Sequence, residues 1–180
     1  METDRRAFER TYGDCYDDVV RYCLRRASRE DALDAAAETF LVAWRRRADV
    51  PAGRELAWLY AVAFRVLANQ RRAHGRQVAA LTHLRGISNQ VVEEPEPVVV
   101  RHHDAAALVD AMARLSTSDQ ELNRLAGWEE LDRDELAVAV GCTPNAATKR
   151  LNRALDRLGR ELGVTDRAPG RFFRRRKVAS

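Results

Sequence analysis

The 180-residue chain carries 31 Lys and Arg against 27 Asp and Glu, a net charge of +4, and is 46% hydrophobic, the composition of a soluble globular protein with room for one domain or two small ones. No apolar run approaches the roughly 20 residues that span a bilayer, and the first residues, METDRRAFER, lack the apolar core of a signal peptide, so a cytoplasmic protein without membrane insertion is expected. Cys15, Cys23 and Cys142 are odd in number with no Cys-x-x-Cys pair, which argues against a disulfide framework and a zinc knuckle; they read as buried thiols.

The periodicity is helical throughout, and strand-like alternation is scarce. Phe8, Tyr12, Cys15, Val19, Tyr22 and Cys23 recur at helical spacing and predict a first helix with an aromatic inner stripe. Asp31 or a near neighbour caps a second, with Ala35, Ala36, Phe40, Ala43 and Trp44 inward and Asp34 and Glu38 one turn apart on another face. The turn Val50-Pro51-Ala52-Gly53 stops it, and a third helix is expected from Leu56 to Arg72.

From 86 to 103 the character changes to GISNQVVEEPEPVVVRHH, with two prolines and an acidic patch, which reads as a flexible acidic linker between two domains. The second block opens with Leu108, Met112 and Leu115 as a stripe, then a cap at Ser116 to Ser118 before Leu122, Leu125 and Trp128. The fold class is therefore all-α, two small helical domains joined by the linker: 1–85, the linker 86–103, 104–165, and a basic tail 166–180.

The second block contains the layout of a helix-turn-helix in LDRDELAVAVGCTPNAATKRLNRALDRL. Asp132 with Glu135 forms a capping-box pair, Gly141 ends the helix in the left-handed region, and Thr143-Pro144 starts the next. Ala147, Leu151, Ala154, Leu155 and Leu158 would face inward, leaving Asn145, Thr148, Lys149, Asn152 and Arg153 outward and Arg150 on the flank. Amide, hydroxyl and cationic groups at a helix end suit base edges and phosphates. Arginine clusters at 45–47, 71–76 and 174–176, with a pI of about 9.3, favour a polyanionic partner.

Catalytic signatures are weak. His74, His83, His102 and His103 do not form a helical metal pair, and no Gly-rich phosphate loop is present. Neither an enzyme nor a cofactor or metal is expected.

Three segments, DALDAAAETFLVAW (31–44), LAWLYAVAFRVLANQRR (56–72) and the helix-turn-helix with its preceding SDQELNRLAGWEEL (118–131), occur in the order and spacing of a known family. The chain resembles bacterial RNA polymerase sigma factors of the extracytoplasmic-function group over most of residues 5 to 162. The resemblance implies a non-enzymatic subunit that binds core RNA polymerase, recognises promoter DNA and helps open it, and in many members is restrained by a cognate anti-sigma factor. It implies that Asp34 and Glu38 dock on the polymerase, although Leu33 and Ala37 stand where the family commonly has an acidic residue and a glutamine. It implies that the third helix, through Arg65, Asn69, Gln70, Arg71, Arg72 and Arg76, meets the minus-ten element, with Trp58 and Tyr60 nearby and the loop from Ala48 to Arg54 as a base pocket. It implies that Arg133, Asn145, Lys149, Arg150 and Arg153 meet the minus-thirty-five element. The competing reading is a stand-alone helix-turn-helix regulator of duplex DNA.

Overall fold

The computed structural model describes residues 2–85 and 103–163, with side chains from 5–79 and 106–163. The expected linker over 86–103, apart from His103 at the start of α4, and the basic tail over 166–180 lie outside the described residues. Among the described residues all regular structure is helical: α1 (Glu2–Leu24), α2 (Arg29–Arg45), a short 3-10 turn (Arg47–Asp49), α3 (Glu55–Arg85), α4 (His103–Ala113), α5 (Thr117–Gly127), α6 (Arg133–Val140) and α7 (Pro144–Glu161). No described helix is long and apolar enough to cross a membrane. The chain divides into two compact units, one before and one after residue 98.

In the N-terminal unit α1, α2 and α3 pack pairwise. Four alanines of α2, Ala32, Ala35, Ala36 and Ala43, are buried, and small side chains at such a contact favour the short end of helix separations, about 8 to 10 Å. Val19, Tyr22, Cys23 and Leu59 are fully buried in the middle. The Tyr22 ring stacks on Tyr60 with centroids 4.7 Å apart, which joins α1 to α3.

Several expectations need correction here. The α2 cap is Ser28, whose Oγ accepts from the Asp31 amide at 3.2 Å and donates to the Asp31 carboxylate at 2.7 Å. Asp31 instead sits in the first turn, where its charge suits the helix dipole. Helix α3 runs on to Arg85 rather than ending at Arg72, because Gly75 alone costs only about 1 kcal/mol in a segment otherwise rich in helix formers. Tyr12 and Trp44, expected inside, are 43% and 39% exposed. Tyr12 packs on the buried Phe40 and Trp44 on Phe8, in an outer aromatic cluster that also takes in Tyr16.

The C-terminal unit is built around α7, which packs on α4, α5 and α6. Ala147, Leu151 and Ala154 are fully buried, facing Leu122, Leu125 and Leu136 of the same small core. Leu155 and Leu158 are half-buried. Trp128 is 53% exposed rather than part of the α5 stripe, and Leu108 is exposed on α4; each lies on the rim of a core too small to cover it.

Candidate nucleic-acid and polymerase interface

On α2 the exposed residues Asp34 and Glu38 stand one turn apart, as their spacing requires. Leu33, Ala37, Leu41 and Trp44 are exposed beside them, at i, i+4, i+8 and i+11, so the acidic pair edges an apolar stripe. The sequence reading missed Leu41 and Trp44 as surface groups. Their signal was present in the helical spacing from Leu33, but periodicity does not say which of two apolar arcs faces the core.

Beyond α2 the chain forms a cationic corner. Arg46 Nε donates to the Asp49 carboxylate at 2.8 Å, and the Gly53 amide to Glu55 Oε1 at 2.9 Å, fixing the loop between α2 and α3. Gly53 takes φ of +75°, a conformation that favours glycine. Phe8, Thr11, Ala43, Arg47, Val50 and Glu55 line a cleft of about 390 Å³ against this loop. Arg47 lies over the Trp44 ring at 5.2 Å and Arg46 over Trp58 at 5.9 Å. Trp58 is half-buried beneath its arginine, and Tyr60 is 3% exposed, so Tyr60 belongs to the core and not to a stacking surface.

On α3 the predicted residues separate into two groups. Arg65, Asn69, Arg72 and Arg76 recur at i, i+4, i+7 and i+11, an arc of about 60° at roughly 100° per residue, and all four are exposed. Arg72 donates to Asn69 Oδ1 at 2.6 Å within that face. Arg71 lies apart: its guanidinium donates to the backbone carbonyl of Arg26, on the turn after α1, at 2.6 Å. Gln70 is half-buried.

In the C-terminal unit α6 and α7 are joined by a tight turn whose groups are locally paired. Asp132 Oδ1 accepts from the Asp134 and Glu135 amides at 2.8 Å each, and Glu135 Oε2 accepts from the Asp132 amide at 2.8 Å. Gly141 takes φ of +65°, the Cys142 amide donates back to the Ala137 carbonyl at 3.0 Å, and Thr143 Oγ1 accepts from the Ala146 amide at 3.3 Å. Asn145, Lys149 and Arg153 are exposed at i, i+4 and i+8 along one face of α7, with Thr148 and Asn152 half-buried beside them. Arg133 is exposed at the start of α6, 3.5 Å from the Asp134 carboxylate. Arg150 sits about 140° around α7 from Asn145, nearer the arc of Arg157. It donates to Ser118 Oγ of α5 over a long 3.4 Å, while Arg157 reaches the buried Asp119 carboxylate at 2.5 Å. These two guanidiniums tie α7 to the cap of α5.

No metal-holding group of His, Cys, Asp or Glu occurs among the described residues. Cys15 and Cys23 are buried as expected, whereas Cys142, on the α6–α7 turn, is half-buried. Burial, then the nearby charges of Asp14, Glu55 and Asp18, push the Cys15 thiol up to about 11.

No family model matches the chain. It is 32% identical over 159 residues to the ECF RNA polymerase sigma factor BldN of Streptomyces coelicolor, covering 87% of this chain and 60% of that protein's length. It is 26% identical over 153 residues to the RNA polymerase sigma factor YlaC of Bacillus subtilis, covering 83% of this chain and 88% of that one. Its fold is similar to that of the sigma factor RpoE of Bartonella quintana, solved in complex with the anti-sigma factor NepR: TM-score 0.60 and 22% identity, over 89% of this chain and 99% of that one. Over more than four fifths of its length the chain is similar to RNA polymerase sigma factors, one of them of the ECF group.

Proposed function

We propose that this protein is a dissociable subunit that binds core RNA polymerase and directs promoter recognition and opening. The observation that carries this reading is the pairing of two cationic helical faces, one in each unit, with an acidic-edged apolar stripe on α2.

In this reading residues 1–85 form the domain for polymerase docking and the minus-ten element. Residues 86–103 form an acidic linker, and 104–165 the helix-turn-helix domain for the minus-thirty-five element. Asp34 and Glu38 orient the encounter with a basic partner surface, since interfacial charges act more on rate and register than on net affinity. The adjoining Leu33, Leu41 and Trp44 supply the apolar area that holds it. On α3, Arg65, Asn69, Arg72 and Arg76 track the strand backbone, and the cleft beside the α2–α3 loop accepts an unstacked base. On α7, Asn145, Lys149 and Arg153 read base edges, with Arg133 on a phosphate and Arg150 on the flank. A good bidentate arginine–guanine pair is worth about 1 to 3 kcal/mol. A cognate anti-sigma factor is proposed as the restraining partner, because the Bartonella sigma factor of similar fold was solved in complex with one.

The test separates the two halves. Replacing Lys149 and Arg153 with alanine is expected to weaken upstream promoter recognition while polymerase association persists. Reversing the charges of Asp34 and Glu38 is expected to do the converse. Loss of polymerase association in the first variant would contradict the division of roles.

A further inference from the structure

Arg71 is one of a run of cations on α3, and by type it belongs with Arg65, Arg72 and Arg76. Its position sets it apart. It lies eleven residues from Tyr60, which places the two within about 20° on the helix, whereas the cationic face is centred roughly 150° from Tyr60. Tyr60 is buried and stacked on Tyr22 of α1. Arg71 therefore emerges on the side of α3 that faces α1.

What it meets there is the turn just beyond the end of α1 at Leu24. The Arg26 amide closes back on the Cys23 carbonyl at 2.9 Å, and the Arg26 carbonyl receives the Arg71 guanidinium at 2.6 Å across 45 residues of sequence. Arg26 itself is 4% exposed, with its guanidinium 3.6 Å from the Tyr22 ring centroid and donating to the Tyr22 carbonyl at 3.0 Å. The Arg26–Tyr22–Tyr60 pile and the Arg71 bond thus hold one turn of the chain against two places on α3, about 16 Å apart at 1.5 Å per residue. Arg71 is exposed, with one guanidinium nitrogen committed to that carbonyl, and its place on the helix lies about 130° around α3 from the centre of the Arg65–Arg76 face.

We propose that Arg71 is a positioning residue, a brace from α3 to the turn after α1 that fixes the bearing of the Arg65–Asn69–Arg72–Arg76 face, and that it does not itself contact nucleic acid. The proposal rests on α3 meeting promoter DNA. Its signature is electrostatic: removing one cation that neutralises a phosphate lowers the steepness of log affinity against log salt by about 0.7 on single strands to 0.9 on duplex. A brace contributes nothing to that slope.

The experiment uses holoenzyme reconstituted from core polymerase and the full chain, with labelled promoter DNA titrated across a salt series. Arg71→Met, Arg71→Lys, Arg65→Met and Arg72→Met are compared with the parent. Arg71→Met is expected to lower affinity severalfold at an unchanged salt slope, and to speed amide exchange in α3 beyond residue 68 and in the turn 25–27. Arg71→Lys, which still reaches the carbonyl, is expected to recover most of the affinity and protection. Arg65→Met and Arg72→Met are expected to flatten the slope without changing exchange. A flattened slope in Arg71→Met would make Arg71 a phosphate ligand and overturn the proposal, as would full affinity in that variant. Unchanged slopes in Arg65→Met and Arg72→Met as well would remove α3 from the DNA, and the proposal would fall with that reading.

Discussion

The two units reach helical packing by different means. The N-terminal one is held by contacts between residues far apart in sequence: the Tyr22–Tyr60 stack, the buried alanines of α2, and the Arg71 bond to Arg26. The C-terminal one is denser in local devices, with three side-chain caps at Ser116, Asp132 and Thr143 against Ser28 in the first unit, around a core of small and medium aliphatics, although Arg150 and Arg157 still reach α5 across 32 and 38 residues. A unit written in local signals can be read from sequence almost element by element. A unit written in long-range contacts shows its helices but not which faces they turn inward.

Substitutions sharpen this contrast, and the tryptophans report on it separately, with Trp44 and Trp58 in the first unit and Trp128 in the second. Tyr22→Ala removes a fully buried ring and is expected to cost about 3 to 5 kcal/mol, seen as a lower denaturant midpoint in Trp44 and Trp58 fluorescence. Leu151→Ala is expected to cost about 2 to 5 kcal/mol, read at Trp128. If the Trp128 signal moved as far in Tyr22→Ala as in Leu151→Ala, the units would not be energetically separate.

Smaller effects probe the local devices. Gly141→Ala forces a side chain into the left-handed region and is expected to cost about 1 to 2 kcal/mol, and Asp132→Ala about 1 kcal/mol by loss of the cap; urea unfolding of each variant checks both. The thiols give a pH test. Because the folded-state value of Cys15 is raised from 9.0 to about 11, folding stabilises the protonated form. That contribution is fully present below pH 9 and is lost as pH rises toward 11, so stability should decline across that window, and less steeply in Cys15→Ala. Over the same range Cys142, half-buried on its turn, is expected to be alkylated before Cys15 and Cys23. Equal labelling rates under native conditions would contradict the assigned burial.

The same contrast explains what could be read in advance. The Asp132–Glu135 box, Gly141 and Thr143-Pro144 are each set by residues within four positions, and the structure has them where the spacing places them. Ser28 and Asp31 are both good caps three residues apart, so the sequence marks the neighbourhood of the cap and only geometry separates the cap from the first-turn acid. Glu130 adopts φ of 52° after α5, a position where glycine would have been the legible signal. The cationic faces of α3 and α7 follow from helical spacing, but the Arg71–Arg26 and Arg150–Ser118 bonds depend on partners 45 and 32 residues away. The exposure of Leu41 and Trp44 was hidden for the opposite reason, since apolar residues read as core until a structure shows them uncovered.

The most direct test of the central claim is co-elution of the purified chain with sigma-free core RNA polymerase, followed by transcription from fragments of the host genome. The account predicts co-elution and new, discrete transcripts, both abolished when Asp34 and Glu38 are reversed in charge. Failure to co-elute, together with tight sequence-specific binding of duplex DNA by the chain alone, would contradict it.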